Sequence, residues 1–220
     1  MNARRPHAMR LPSGQPVRGL YLVTPDQADT GRLLARVAAV LPHAALLQYR
    51  NKTAGPALQR EQASALLGLS REHGVPMLVN DDWALAADIG ADGAHLGEDD
   101  GDLRAARAAL GPAAILGASC YDSLTRAESA AAAGAGYVAF GACFPSSTKP
   151  HARRATAELL RAAGRLGLPV VAIGGITPDN IRSVVEAGAD LTAVIGGVFD
   201  APDPVAAARI CAGAFATGVD

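Results

Sequence analysis

Gln48, Arg50 and Lys52 place an amide and two cations at alternate positions, directly after the apolar run Ala44 to Leu47 and before a helix-like segment from about Thr53. A short apolar run that breaks into a polar tip reads as a buried parallel strand ending in a loop. Side chains alternate along an extended strand, so the three residues point to one side. That puts anion-binding groups at a strand's C-terminal end, where α/β barrels carry their chemistry. Standing alone, an Arg-x-Lys pair is better explained by a solvated basic loop. Matching strand ends later in the chain reverse that preference.

The next polar tips are acidic. Asn80-Asp81-Asp82 follows the apolar run Pro76 to Val79. Asp82 suits the N-cap of a helix at Trp83, which leaves Asp81 beside Asn80 without a role. His95-Leu96-Gly97-Glu98-Asp99-Asp100 closes the following strand-like run, and Asp99 or Asp100 would serve to cap the next helix. Carboxylates from adjacent strand ends also converge on hard cations, and Mg²⁺ usually takes one or two of them with phosphate and water. His95, inward by alternation, reads as a hydrogen-bonded wall residue rather than a ligand.

The loop Gly141 to Pro150 holds hydroxyls and one lysine, Lys149, between prolines, and such groups partner phosphate oxygens. Gly174-Gly175 and Gly196-Gly197 end the last two strand-like runs, where glycine lets backbone amides approach a phosphate. Cations with Mg²⁺ suit a pyrophosphate, and a separate amide cradle suits a singly phosphorylated partner. The pattern favours displacement of pyrophosphate by a phosphorylated nucleophile.

Positioning these tips requires a regular alternation of elements. Strands are predicted at Gly19 to Val23, Ala44 to Gln48, Pro76 to Val79, Gly93 to Leu96, Ala114 to Gly117, Tyr137 to Phe140, Pro169 to Ile173 and Leu191 to Ile195. Ala/Leu/Arg/Glu-rich stretches between them, such as Pro56 to Glu72, Ser123 to Ala133 and Pro178 to Ala187, suit amphipathic helices. Eight strands and eight helices in about 200 residues give a single-domain α/β chain, a (β/α)8 TIM barrel, with a doubly wound sheet as the runner-up. Gly90 to Asp92, Gly134 to Gly136 and Gly188 to Asp190 read as repeated helix C-caps. Residues 1–17 lack apolar periodicity and a secretory h-region and are expected to form a flexible extension, leaving 18–220 as the catalytic domain.

Composition removes several function classes. The chain has 220 residues, 50% of them hydrophobic and 19% charged, with net charge −1, which exerts no general pull toward nucleic acid or membrane. Aromatics at 4% are too sparse for base-stacking platforms. No apolar run approaches the ~20 residues that span a bilayer. Cys120, Cys143 and Cys211 show no CxxC spacing and suit a reducing cytoplasm, with packing favoured over a catalytic thiol.

Taken together, Tyr21-Leu22-Val23-Thr24, Gln48-x-Arg50-x-Lys52, Val79-Asn80-Asp81, His95-x-Gly97, Thr148-Lys149 and Gly174-Gly175-Ile176 resemble the thiamine-phosphate synthase family in order and spacing, from Tyr21 to about Ala208. The resemblance implies coupling of hydroxymethylpyrimidine diphosphate to thiazole phosphate, giving thiamine phosphate and pyrophosphate. It implies that Gln48, Arg50, Lys52, Asn80, Ser119 and Lys149 bind the pyrimidine diphosphate, with Lys149, Arg50 and Ser119 closest to catalysis. It further implies Mg²⁺ on Asp81 and Asp100, and thiazole phosphate on Ser146, Thr148, Gly175, Ile195 and Gly196. Small-molecule substrates are the implied partners, and a homo-oligomer remains open. The chain departs from the family pattern at Glu98, where Gln is typical, at Ser146, where Thr is common, and at Gly196, where Ser is common. A thiazole tautomerase of the same fold and a non-catalytic phosphate-ligand sensor are the alternatives. The diphosphate-type residues argue against the first, and the paired carboxylates against the second.

Overall fold

Eight short apolar strands pair in parallel, each with the next in sequence, and the first closes on the last. The computed structural model of the protein describes residue 9 and residues 17–145 and 154–216. The strands are β1 (Gly19–Val23), β2 (Ala44–Tyr49), β3 (Met77–Asn80), β4 (Gly93–Leu96), β5 (Ile115–Tyr121), β6 (Tyr137–Phe140), β7 (Val170–Ile173) and β8 (Leu191–Val194). Closure of β1 on β8 establishes the (β/α)8 barrel and excludes the doubly wound sheet. Such strands are buried on both faces, which explains why they read as continuous apolar runs.

The helices are α1 (Thr30–Val40), α2 (Pro56–His73), α3 (Trp83–Ile89), α4 (Leu103–Leu110), α5 (Leu124–Ala132), α6 (Ala157–Ala163), α7 (Ile181–Glu186), α8 (Gly196–Phe199) and α9 (Pro204–Gly213). Asp82 caps α3 as its sequence position implies, accepting from the Leu85 amide at 2.8 Å. The cap of α4 differs from expectation. Asp102 accepts from the Arg104 amide, while Asp100 turns back to accept from the Gly97 amide at 2.7 Å. Asp100 is therefore free of the helix and stays at the strand end.

A large core fills the space between strands and helices, including Leu22, Leu47, Leu66 and Phe140. A smaller cluster fills the barrel interior, with Tyr21, Leu46, Leu78, Tyr137, Val171 and Leu191. Met9 and Val17, both 4% exposed, join the interior cluster, and the Met9 amide donates to the Gly136 carbonyl just before β6. Both lie in the stretch expected to be a flexible extension; the rest of that stretch is outside the described residues. Asp92 and Asp190, the acids of the two Gly-Ala-Asp turns, accept from the first amides of β3 and β7. The preceding Gly90 is left-handed, as a C-cap requires.

Candidate active site

The strand ends β2 to β5 assemble a charged mouth from side chains. Strand β2 stops at Tyr49, so the alternation predicted through Lys52 does not carry on, and the three polar residues diverge. Gln48, 4% exposed, turns inward and donates to the Tyr21 hydroxyl. Arg50 pairs with Asp26 beyond β1 at 3.1 Å, and Thr24 clamps its backbone by bonding both its amide and its carbonyl. Lys52 reaches the other way, to Asp81 beyond β3 at 3.3 Å. The cations thus sit beside neighbouring strand ends, each already facing an acid.

Asn80 is the last residue of β3, and Asp81 beyond it has φ 64, a left-handed conformation. Its amide donates to the His95 carbonyl, which fixes the loop on β4. Burial and then the facing Asp100 carboxyl raise the Asp81 pKa, while Lys52 opposes the rise. The Asp81 anion is thus disfavoured beside a second carboxyl, and a dication there would remove the conflict. Among the described residues no group of three His, Cys, Asp or Glu forms a protein-only metal cage. Two hard carboxylates suit Mg²⁺, which keeps positions for water and phosphate, so the donor set fits that ion.

Behind the mouth runs a buried polar chain. The Tyr21 and Tyr137 hydroxyls lie 2.8 Å apart, Tyr137 bonds His95 Nδ1 at 2.8 Å, and His95 Nε2 bonds Ser119 Oγ at 2.9 Å. His95 is a wall residue, as alternation implies. Burial lowers its pKa to about 4, so the imidazole is neutral at pH 7. Burial raises the Tyr21 and Tyr137 pKa values far above neutrality, so both hydroxyls keep their protons. Ser119 stands on β5, which runs four residues past its predicted end at Gly117. The sequence reading missed Tyr137 as a site residue. One signal was available in Gly117, where a Cβ would lie 2.0 Å from the Tyr137 ring.

The β7 and β8 ends are built from backbone instead. Gly174 and Gly175 have φ 103 and 65, and a Cβ on Gly175 would meet the Pro145 carbonyl oxygen at 2.5 Å. Ile195 precedes the first turn of α8, which starts at Gly196. A Cβ on Gly197 would lie 2.1 Å from the Ile176 carbonyl oxygen, so the two glycine turns touch. Ser146, Thr148 and Lys149 lie outside the described residues. Glu98, one of the departures from the family pattern, pairs with Arg126, which covers the Tyr121 ring at the rim. The cysteines are buried or half-buried, and burial pushes Cys120 to about 12 and Cys143 to about 11, which keeps both thiols protonated and unreactive.

Residues 20–198 match the family model described as thiamine monophosphate synthase. The chain belongs to this family. A thiamine-phosphate synthase of Xanthomonas campestris pv. campestris (strain 8004) is 59% identical over 199 residues, covering 90% of this chain and 96% of that protein. One from Xylella fastidiosa (strain 9a5c) is 54% identical over 205 residues, covering 93% of this chain and 88% of that protein. Among solved structures, a thiamine phosphate pyrophosphorylase from Pyrococcus furiosus aligns with TM-score 0.79 at 33% identity, covering 90% of this chain and 95% of that one. Membership of the thiamine monophosphate synthase family makes the chain a transferase of thiamine biosynthesis, in agreement with the motif resemblance.

Proposed function

We propose that this barrel couples 4-amino-2-methyl-5-hydroxymethylpyrimidine diphosphate with thiazole phosphate, or with its carboxylate with loss of CO2, to give thiamine phosphate and pyrophosphate. The observation that supports the reading is the facing Asp81–Asp100 pair with Lys52 ion-paired to Asp81, while Arg50 stands at the neighbouring strand end on Asp26. Gln48, Asn80 and Ser119 hold the pyrimidine. Arg50, Lys52 and Lys149 take the diphosphate. Ser146, Thr148, Gly175, Ile195 and Gly196 line the site for the thiazole phosphate. The catalytic domain is assigned to residues 18–220, with Met9 and Val17 contributing to its interior, and small-molecule substrates suit work in the cytoplasm. No described helix is long and apolar enough to cross a membrane.

Asp81 and Asp100 would hold Mg²⁺, which supplies charge neutralisation for the diphosphate oxygens. The pyrimidine's methylene carbon–oxygen bond breaks, and its electron pair leaves with pyrophosphate. Lys52 and Arg50 are ion-paired to acids in the resting site and can turn from them to the departing oxygens, stabilising charge as it develops. The electron-rich aminopyrimidine bears the resulting cation until the thiazole nitrogen captures the carbon. Holding both partners in contact is sufficient, so no protein nucleophile is needed. Protonated thiols and a neutral His95 agree with that economy.

The test is turnover of the two substrates with Mg²⁺ and with EDTA, following pyrophosphate and thiamine phosphate together. Stoichiometric formation of both, lost in EDTA, is expected. A barrel that binds both substrates and releases neither product would be a sensor. Full turnover in EDTA would remove the metal from the mechanism.

A further inference from the structure

A buried hydroxyl has one proton to give, so a chain of such groups has a direction. Gln48 Nε2 is only a donor, and it gives its N–H to the Tyr21 hydroxyl oxygen. Tyr21 is 1% exposed, and among the described residues its other side-chain partner is Tyr137, so its proton goes there. The Tyr137 proton then goes to His95 Nδ1, which must be bare. The imidazole proton sits on Nε2 and is donated to Ser119 Oγ. Left over at the ends of the chain are the Gln48 carbonyl oxygen with the second amide N–H beside it, and the Ser119 hydroxyl proton. A doubly protonated imidazole would reverse Tyr137 and strand the Tyr21 proton in the core without an acceptor.

We propose that Tyr21, Tyr137 and His95 are positioning residues that lock this direction, so that Gln48 meets the ligand as an acceptor and Ser119 meets it as a donor. The rings are held for that task. His95 stacks on Tyr137 with centroids 5.6 Å apart and planes at 20°, and Tyr21 meets Tyr137 edge-on at 5.9 Å and 86°. Gly117 leaves the slot that the Tyr137 ring occupies. The consequence for specificity rests on the coupling reaction proposed above. The amino group of the pyrimidine supplies the N–H that the Gln48 oxygen lacks, whereas an oxo group there sets two acceptors face to face. Sites built around such a buried hydrogen bond reject the mismatched analogue strongly. Were the Gln48 amide turned over, every link would reverse, the imidazole proton would move to Nδ1, and the preference would invert.

Nuclear magnetic resonance of isotope-labelled histidine in the full chain reads the tautomer directly, with the His95 signal assigned by its loss in His95→Asn. A single neutral Nε2–H form is expected in the wild type. An Nδ1–H, mixed or doubly protonated ring overturns the proposal. In Tyr137→Phe the bond to Nδ1 is gone, so a mixed tautomer is expected, together with a fall of about tenfold or more in the kcat/KM preference for the amino over the oxo pyrimidine diphosphate. An unchanged preference in a folded Tyr137→Phe protein also overturns it. Should that variant not fold, Tyr21→Phe carries the same preference measurement, and the wild-type tautomer still decides the direction. An inactive wild type with Nε2–H would sink the coupling reaction and leave the locked chain standing; an active wild type with Nδ1–H would do the reverse.

Discussion

The two ends of this barrel are built on opposite terms. At the C-terminal mouth, acids face acids and cations, and the two non-glycine residues with left-handed backbone among the described residues, Asp81 and Tyr121, both stand there. Each such residue costs roughly 1–2 kcal/mol, which the rest of the fold must offset. At the N-terminal floor, Met9 and Val17 seal the interior, and Asp92 and Asp190 tie down the first amides of β3 and β7. The mouth holds strain and unresolved charge; the floor holds satisfied bonds and apolar contact. Chemistry and stability are thereby separated along one axis, and His95 and the two tyrosines stand between them.

If that division is right, mouth substitutions should change turnover and leave melting nearly alone. Asp81→Asn and Asp100→Asn remove one charge each while keeping side chains that tolerate the local backbone. A loss of ~3–4 kcal/mol in kcat/KM is expected, with little change in Tm, read by steady-state kinetics beside a thermal melt. A large Tm drop in either would show that the mouth is structural after all.

His95 should connect the two ends through pH. A free imidazole titrates near 6.5 and the folded one near 4, so the unfolded chain takes up the proton first as pH falls. Stability from this group is fully present above about 6.5 and is lost from there down to about 4, up to ~3 kcal/mol in all. Denaturant unfolding across that range should slope more steeply for the wild type than for His95→Gln. Equal slopes would mean that the buried ring does not titrate as its surroundings require.

The converse test belongs to the floor. Met9→Ala should cost about 2 kcal/mol of stability and leave kcat unchanged, because the side chain fills the barrel far from the strand ends. Deletion of residues 1–15 should lower Tm for the same reason, although the sequence pattern by itself favours no effect. An unshifted melt would show that the seat of Met9 contributes nothing.

The smallest effect is expected between two adjacent glycines at the mouth. Gly196 lies outside the left-handed region, and a Cβ there would meet only the exposed Asp200 carboxylate, which can swing away. Gly196→Ser should therefore stay within ~1 kcal/mol of wild type in thiazole phosphate affinity. Gly197→Ala, whose Cβ would press on the Ile176 backbone, should cost more, about 2 kcal/mol. Titration of thiazole phosphate against both variants checks the contrast, and equal losses would break it.

Much of the mouth was legible because its chemistry sits in polar residues directly after apolar runs. Gln48, Asp81, Asp100 and the paired glycines all emerge where strands end. The β5 end was harder, since Ala118, Ser119 and Cys120 are small and carry no strand signature; pairing with β4 and β6 extends the strand through them. Asp102 displaced Asp99 and Asp100 as the α4 cap, because several acids in a row suit a cap equally until the turn is formed. Tyr137 was unreadable as a polar site residue because its own strand is wholly buried, and only its pairing with Gly117 exposes the role. Met9 sits in a segment with no periodicity, and a single side chain filling a hole leaves no pattern along a chain.

Pyrophosphate binding to the wild-type protein, measured by calorimetry with Mg²⁺ and again with EDTA, probes the mouth without requiring turnover. Two facing carboxylates repel a bare anion, and a dication held by Asp81 and Asp100 would offset that repulsion. Pyrophosphate should bind with Mg²⁺ and weaken by about a hundredfold or more without it, a coupling of ~3 kcal/mol, and Asp100→Asn should lose most of that difference. Equal affinity in both buffers would contradict the assignment of these two carboxylates to the metal and of this half of the mouth to the diphosphate.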